Sequence, residues 1–97
     1  MPLSAQQRRY LRGLSHQLHP LVTVADKGLT PNVIAELGAA LNAHELIKVK
    51  LRASREKRMD WIDEIARLCD AERVQVIGQV ASFFRHNSKK PLITFPG

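Results

Sequence analysis

Hydrophobic positions follow two spacings along this chain. Three stretches repeat every three to four residues, as one side of an amphipathic helix does, and four short stretches have the apolar runs or the alternation of strands. The helices are predicted over 5–19, 31–44 and 55–70, directly after the capping residues Ser4, Thr30 and Ser54. The strands are predicted over 21–24, 46–52, 73–77 and 80–85, with a tight turn at Gly78-Gln79 between the last two.

The order α-β-α-β-α-β-β predicts an α/β fold of the two-layer α+β type with a mixed four-stranded sheet. Each strand–helix–strand unit implies parallel neighbouring strands, and the final hairpin adds an antiparallel one. We expect the helices mainly on one face of the sheet and the other face open. Gly38, inside the second helix, indicates close packing there, because glycine costs a helix about 1 kcal/mol relative to alanine.

Length and composition fit one small domain spanning residues 1–97. The chain is 44% hydrophobic and 25% charged, and its net charge of +6 favours a polyanionic partner such as RNA, DNA or an anionic membrane surface. Residues 54–70 carry four basic and five acidic side chains, so the positive charge lies outside this segment. The segment from His86 onward leaves two alternatives open, a docked tail and a loose one.

The sequence predicts neither a membrane protein nor a secreted one. No apolar stretch is long enough to span a bilayer, and the N-terminal residues lack the pattern of a signal peptide, so a cytoplasmic location is expected. The single cysteine, Cys69, excludes an internal disulfide and a multi-cysteine zinc site.

No set of side chains has the pattern of an active site. Asp60, Asp63 and Glu64 share one side of the third helix, but no turn glycine or fourth ligand accompanies them, so a solvated acidic surface is favoured over a metal site. Cys69 falls among apolar positions and is expected to be a small buried side chain rather than a nucleophile. We therefore expect no enzymatic activity, no cofactor, no metal and no small-molecule substrate.

The segment between the first strand and the second helix is a candidate phosphate site. In Ala25–Gly28 the glycine permits a close approach to the backbone, Lys27 adds a charge, and the helix start supplies N–H groups and the positive end of its dipole. However, Pro31 has no N–H to offer, Thr30 is expected to occupy another, and Asp26 repels an anion. Spacing alone therefore favours an ordinary strand-to-helix turn.

Basic residues also alternate along the second strand. Lys48, Lys50 and Arg52 project to the same side, where they could follow a phosphate backbone. A solvated sheet face is the alternative, and the positive charge outside the third helix favours the functional interpretation.

Two further basic groups are weaker candidates. Arg8, Arg9 and Arg12 share a side of the first helix, where RNA contact and a plain solvated surface are equally supported. Arg85 follows Phe84, a pair that would allow base stacking, although core packing of the aromatic ring and a solvated arginine are favoured.

Four strings of sequence resemble the CRM domain, the chloroplast RNA splicing and ribosome maturation module, and above all its stand-alone bacterial form, the YhbY-type proteins. They are KGLT at 27–30 and HELIKVK at 44–50, supported by LRGL at 11–14 and VQVIG at 74–78. The likeness covers nearly the whole chain. Two positions depart from the family pattern: Ala25 replaces the first glycine of the GxxG-type loop, and Phe83-Phe84-Arg85 stands where the family tends to have leucine, tyrosine and arginine.

The resemblance implies a sheet similar to that of the C-terminal domain of translation initiation factor three, and RNA binding through the GxxG-type loop. For the bacterial stand-alone members it implies association with precursors of the large ribosomal subunit. We therefore predict a non-enzymatic RNA-binding protein, with a monomer favoured, that associates with ribosomal RNA in such precursors and assists ribosome assembly. The predicted RNA-binding residues are Lys27, Gly28, Leu29, Thr30, Lys48, Lys50, Arg52, Arg8, Arg9, Arg12 and Arg85.

The alternative function is that of a protein–protein adaptor. Such a protein would dock on a ribosomal protein or another acidic partner through the basic side of its first helix and its C-terminal tail.

Overall fold

A computed structural model describes residues 3–96 and confirms the predicted order of elements. The helices and strands are α1 (Ala5–Ser15), β1 (Pro20–Val24), α2 (Pro31–His44), β2 (Leu46–Leu51), α3 (Arg55–Leu68), β3 (Glu72–Ile77) and β4 (Val80–Phe84).

Side-chain caps fix where the three helices begin. The Ser4 hydroxyl accepts a hydrogen bond from the Gln7 N–H at 3.1 Å, and the Gln7 side-chain oxygen accepts one from the Ser4 N–H at 3.0 Å. These two bonds form the predicted capping box. Thr30 and Ser54 cap α2 and α3 in the same way, through their hydroxyls. The end of α1 differs most from the prediction, because the chain tightens into a turn after Ser15 and reaches Pro20 in extended form. α3 also ends earlier than predicted, at Leu68 rather than at residue 70.

The four strands form one mixed sheet in the order β1-β2-β4-β3. β2 runs parallel to β1 and antiparallel to β4, and β4 also pairs antiparallel with β3. Because β1 and β2 are parallel, the helices that follow them, α2 and α3, begin at the same edge of the sheet. We call this edge, where β1 and β2 end, the carboxyl edge.

The main core lies between the sheet and the pair α2 and α3. The alternation along β2 is confirmed, since Ile47, Val49 and Leu51 are buried there. They pack with Leu37 and Leu41 of α2, with Ile62 and Ile65 of α3, and with Phe83 of β4. The close packing expected at Gly38 is wrong: a Cβ placed there would meet no heavy atom within 4 Å.

The opposite face of the sheet is only half open, which corrects the expectation that this face would be open. α1 packs across this face, where its Leu11 forms a second core with Leu46, Val74 and Phe84. The uncovered half lies toward the carboxyl edge and includes a shallow depression lined by Pro20, Lys48, Gln75, Ile77, Val80 and Ser82. The leucines of α1 could have covered either face, and spacing alone did not select one.

The segment after β4 docks on the domain. The Glu45 carboxylate accepts bonds from the backbone N–H groups of Asn87, Leu92 and Ile93 at 2.6–2.8 Å. Further along, the ring of Phe95 meets Tyr10 and Phe84 edge-on, with 5.8 Å between centroids in each pair. Of the two alternatives for this tail, the docked one is observed for residues 86–96.

Candidate nucleic-acid interface

The carboxyl edge places the predicted loop beside the end of the basic strand. Val24, the last residue of β1, pairs with Leu51, the last residue of β2. The Arg52 N–H then donates to the Val24 carbonyl at 2.8 Å, so Arg52 lies against the start of the 25–30 loop. Two segments that are far apart in sequence thus lie side by side at this edge, which carries Lys27 and Arg52 together with the exposed Asp26.

The loop itself is a hydrogen-bonded turn. The Gly28 N–H donates to the Ala25 carbonyl at 2.7 Å, and Gly28 has a φ of 70°, a left-handed conformation that favours glycine. Ala25 is not among the residues with positive φ, so alanine replaces the first glycine of the family pattern without backbone strain. The Lys27 side chain is exposed, whereas Leu29 is half-buried against the main core and can offer a ligand only its backbone.

Few N–H groups remain free at the start of α2, as the sequence indicated. Pro31 has none, and the Val33 N–H donates to the Thr30 hydroxyl at 3.2 Å. Within residues 3–96, the N–H groups of Leu29 and Asn32 have no hydrogen-bond acceptor. These two donors, the helix dipole and the Lys27 ammonium are what the loop can present to an anion.

Trp61 of α3 lies directly beneath the loop, a neighbour that the sequence analysis did not identify. A Cβ built on Gly28 would be 3.7 Å from the indole Nε1 of Trp61. The side chain is only 8% exposed. Nothing in the sequence indicated that the loop would cover it.

The basic strand presents its side chains unequally. Lys50 and Arg52 are exposed, and Lys48 is half-buried between Ser82 of β4 and Pro20 of β1. All three lie toward the uncovered half of the sheet, where no carboxylate pairs with them among residues 3–96. The structure therefore brings Lys48, Lys50 and Arg52 together with the loop.

The arginines of α1 do not adjoin the loop. α1 packs over Leu46, whereas the loop follows Val24, which pairs with Leu51 at the other end of β2, about 17 Å away at strand rise. Arg8 is engaged within the protein, where its guanidinium bonds to the Arg73 carbonyl and pairs with Glu72 at 3.0 Å. Arg9 is exposed and Arg12 half-buried, so only these two remain accessible on that helix.

Arg85, another predicted RNA-binding residue, is engaged in hydrogen bonds within the protein. Its guanidinium donates to the carbonyls of Cys69 and Gly38 at 2.8 and 2.9 Å, and to the Asn42 side-chain oxygen at 2.8 Å. It thereby ties the end of β4 to α2 and α3. Burial raises the pKa of the neighbouring Cys69 thiol, an effect that the charge of Arg85 partly offsets, so the thiol is protonated at neutral pH.

Other kinds of site have little support in the described part of the chain. Residues 3–96 contain no group of three or more histidine, cysteine or acidic side chains arranged to hold a metal ion. Over the same residues, no helix has the length and apolar character needed to cross a bilayer.

Comparisons with known proteins identify the family of this chain. Residues 3–85 match the CRS1/YhbY (CRM) domain. The chain is 43% identical over 90 residues to a protein of Pseudomonas aeruginosa named as a probable RNA-binding protein, covering 92% of this chain and 86% of that one. It is 45% identical over 84 residues to an RNA-binding protein of Haemophilus influenzae, covering 86% and 85%.

A solved structure has the same fold. The solution structure of a hypothetical Staphylococcus aureus protein, a candidate RNA-binding protein, superposes with a TM-score of 0.83 at 28% identity, covering 98% of this chain and all of that one. The family match spans most of the chain and agrees with the relatives and with the fold. The chain therefore belongs to the CRS1/YhbY (CRM) domain family.

Proposed function

We propose that this protein binds RNA along its carboxyl edge and the adjoining open half of the sheet. The observation that carries the proposal is the bond from the Arg52 N–H to the Val24 carbonyl, which joins the loop to the basic strand. Lys27, Arg52 and Lys50 thereby form one accessible basic path, and Lys48 extends it across the sheet. The names of the relatives, which describe RNA binding, support the same proposal.

The contacts would go mainly to the phosphate backbone. The Leu29 and Asn32 N–H groups and Lys27 would hold one phosphate at the loop, and the strand side chains would hold the phosphates that follow. Base stacking would contribute little, because Trp61, Phe83 and Phe84 are buried. RNA shape and charge would therefore outweigh base identity.

The finer part of the proposal concerns the RNA itself. We propose ribosomal RNA in precursors of the large ribosomal subunit as the partner, and a non-enzymatic, cytoplasmic role in ribosome assembly. This rests on family membership.

The adaptor alternative has less support. Its contact surface would be the arginine side of α1 together with the C-terminal tail. Arg8 is paired with Glu72, and the tail is docked through Phe95, so both are already engaged within the protein. Association with ribosomal particles that survives nuclease digestion would favour the adaptor.

A matched pair of charge reversals tests RNA binding. Lys48→Glu/Lys50→Glu reverses two charges on the proposed path, and Lys89→Glu/Lys90→Glu reverses two exposed charges on the tail, away from the carboxyl edge. We expect the first variant to bind ribosomal RNA roughly tenfold or more weakly than the second, because phosphate contacts dominate such affinities. Both variants should keep the circular dichroism spectrum of the wild type. Equal RNA affinity for the two folded variants would refute the proposal.

Crosslinking in cells tests the identity of the RNA. Sequencing of the RNA attached to the wild-type protein should return segments of large-subunit ribosomal RNA, and the Lys48→Glu/Lys50→Glu protein should return fewer. Recovery of unrelated RNA would contradict the ribosomal part of the proposal while leaving RNA binding intact.

A further inference from the structure

A second basic surface lies on the helix side of the sheet. The first turns of α3 and the edge strand β3 enclose an open groove of about 640 Å³, bounded at one end by the hairpin at Gly78. Its charged lining consists of Arg55, Arg58 and Arg73, with Met59 and Val76 between them. We call it the α3–β3 groove.

The charges of this groove are unopposed. No acidic residue lines it, although α3 carries Asp60, Asp63 and Glu64. Within residues 3–96, the ion pairs are Arg8–Glu72, Arg67–Glu64 and His86–Glu45, so none neutralises an arginine of the groove. Three arginines concentrated without a carboxylate make a surface that attracts anions.

Local contacts position two of these arginines, Arg58 and Arg73, beside the groove. The Arg58 guanidinium donates to the Ala53 carbonyl at 2.7 Å, which holds it at the start of α3. The pairing of β3 with β4 is irregular between Arg73 and Gln75, and Arg73 lies opposite Phe83, a residue of the main core. The Arg73 side chain therefore lies on the same side of the sheet as α3.

The α3–β3 groove reaches the carboxyl edge, the same edge of the sheet at which the loop lies. Its helix, α3, is the one whose Trp61 lies beneath Gly28. Its hairpin is tied to the end of β2 by a bond from the Leu51 N–H to the Gln79 carbonyl at 2.7 Å. An RNA strand that runs from the loop past Arg52 would therefore reach Arg55 next, at the end of the groove that lies at the carboxyl edge.

We propose that the α3–β3 groove holds a second segment of the RNA backbone, continuous with the segment at the loop. The inference rests on the proposed function, because it extends the same RNA past the carboxyl edge. Arginine suits this role since its planar guanidinium binds phosphate oxygens in pairs. The RNA path then has two branches from the loop, one along Lys50 and Lys48 and one along Arg55 and Arg73.

The test compares two variants that each lose two positive charges. Arg55→Gln/Arg73→Gln neutralises the exposed arginines of the groove, and Lys89→Gln/Lys90→Gln is the matched control on the tail. Arg58 is left intact because its bond to Ala53 belongs to the start of α3. Binding of single-stranded RNA oligonucleotides of about 4 to 16 nucleotides is measured at a series of salt concentrations.

We expect the groove variant to lose affinity chiefly for the longer oligonucleotides, which alone reach from the loop into the groove. Its plot of log affinity against log salt should be shallower than that of the control by about 1.4, which corresponds to two lost phosphate contacts. Thermal unfolding of both variants should match the wild type, so that altered binding reports on contacts.

A slope and length dependence equal to those of the control would overturn the inference. An acidic polypeptide as the occupant of the groove predicts that result, because RNA binding would then not depend on Arg55 and Arg73. If this happens while Lys48→Glu/Lys50→Glu still weakens RNA binding, only the groove assignment fails. A wild-type protein that binds no RNA would overturn the proposed function and this inference together.

Discussion

Glu45 shows how one residue can organise a segment far away in sequence. It is fully buried at a left-handed φ of 61°, directly before β2. Burial by itself raises the pKa of its carboxyl group, but the N–H groups of Asn87, Ile93 and Leu92, together with the nearby His86, outweigh that effect and lower the pKa overall. The bound, ionised carboxylate therefore holds the tail together with the apolar contacts of Phe95.

Glu45→Gln should lower the free energy of unfolding at pH 7 by about 2 kcal/mol, because bonds from N–H groups to a charged acceptor are lost. Since the folded-state pKa lies below the unfolded value of about 4.3, this stabilisation is full above that value and is lost as pH falls through the lower folded pKa. Urea denaturation at pH 7 and in acid should therefore show a difference that shrinks in acid.

Glu36→Gln is the control for this prediction, because Glu36 is exposed on α2 and forms no ion pair within residues 3–96. It should change the unfolding free energy by less than about 0.5 kcal/mol. A Glu45→Gln protein as stable as this control at pH 7 would show that the tail is held by its apolar contacts alone.

Alanine substitutions at Gly28 and Gly78 can distinguish the effect of backbone strain in a turn from a role of that turn in RNA binding. Both have positive φ, 70° and 57°, so alanine at either position should cost about 1 kcal/mol of stability. An added Cβ at Gly28 would be only in ordinary contact with Trp61, and at Gly78 it would meet nothing. Denaturation should give similar losses for the two variants, but only Gly28→Ala should also weaken RNA binding. Equal RNA affinities for the two would remove the loop from the proposed site.

At the scale of the element, α2 contains a helix-breaking residue that packing does not require. Gly38→Ala should raise stability by up to about 1 kcal/mol, because alanine favours the helix and its Cβ meets no neighbour. Thermal melting should rise by about 4–8 °C for each 1 kcal/mol gained in a domain of this size. Ala39→Gly, at an exposed position of the same helix, should lower the melting temperature to a similar extent. A destabilised Gly38→Ala protein would mean that the bond from Arg85 to the Gly38 carbonyl depends on the glycine.

Elements could be predicted from the sequence because their signals are local. Ser4 with Gln7 fixed the start of α1, and the alternation at Ile47 and Lys48 fixed which side of β2 is buried. Packing partners could not be predicted in the same way. Arg85 bonds to groups 16 and 47 residues away, and Glu45 binds N–H groups more than 40 residues away. The presence of a charged residue directly after a strand or helix, as Arg85 and Glu45 are, does not indicate which distant groups it will contact.

The position of the candidate site was predictable from topology, and its extent was not. A strand–helix–strand unit with adjacent strands, as β1 and β2 are, puts the loop after the first strand next to the end of the second, so Lys27 and Arg52 lie at the same edge. Arg55, Arg58 and Arg73 escaped prediction because they lie in or beside an acidic stretch of sequence. Only the packing of α3 against β3 separates these arginines from the acids around them.

At the scale of the whole molecule, charge is segregated around the carboxyl edge. If Lys27, Lys48, Lys50 and Arg52 each neutralise one phosphate of a single strand, the plot of log affinity against log salt should have a slope of about −3 or steeper. Fluorescence anisotropy with labelled RNA across a salt series measures it. A slope near zero would exclude binding through phosphates and would direct attention to base contacts.

The closeness of Trp61 to Gly28 also gives the molecule a built-in optical reporter. Trp61 is the only tryptophan of the chain, and its indole lies under the loop. The tryptophan fluorescence of the protein therefore comes from one known position. Its emission wavelength or intensity should change when an anion binds at the loop or when the loop moves. Occupancy of the loop can then be followed in the unlabelled wild-type protein, separately from contacts made elsewhere on its surface.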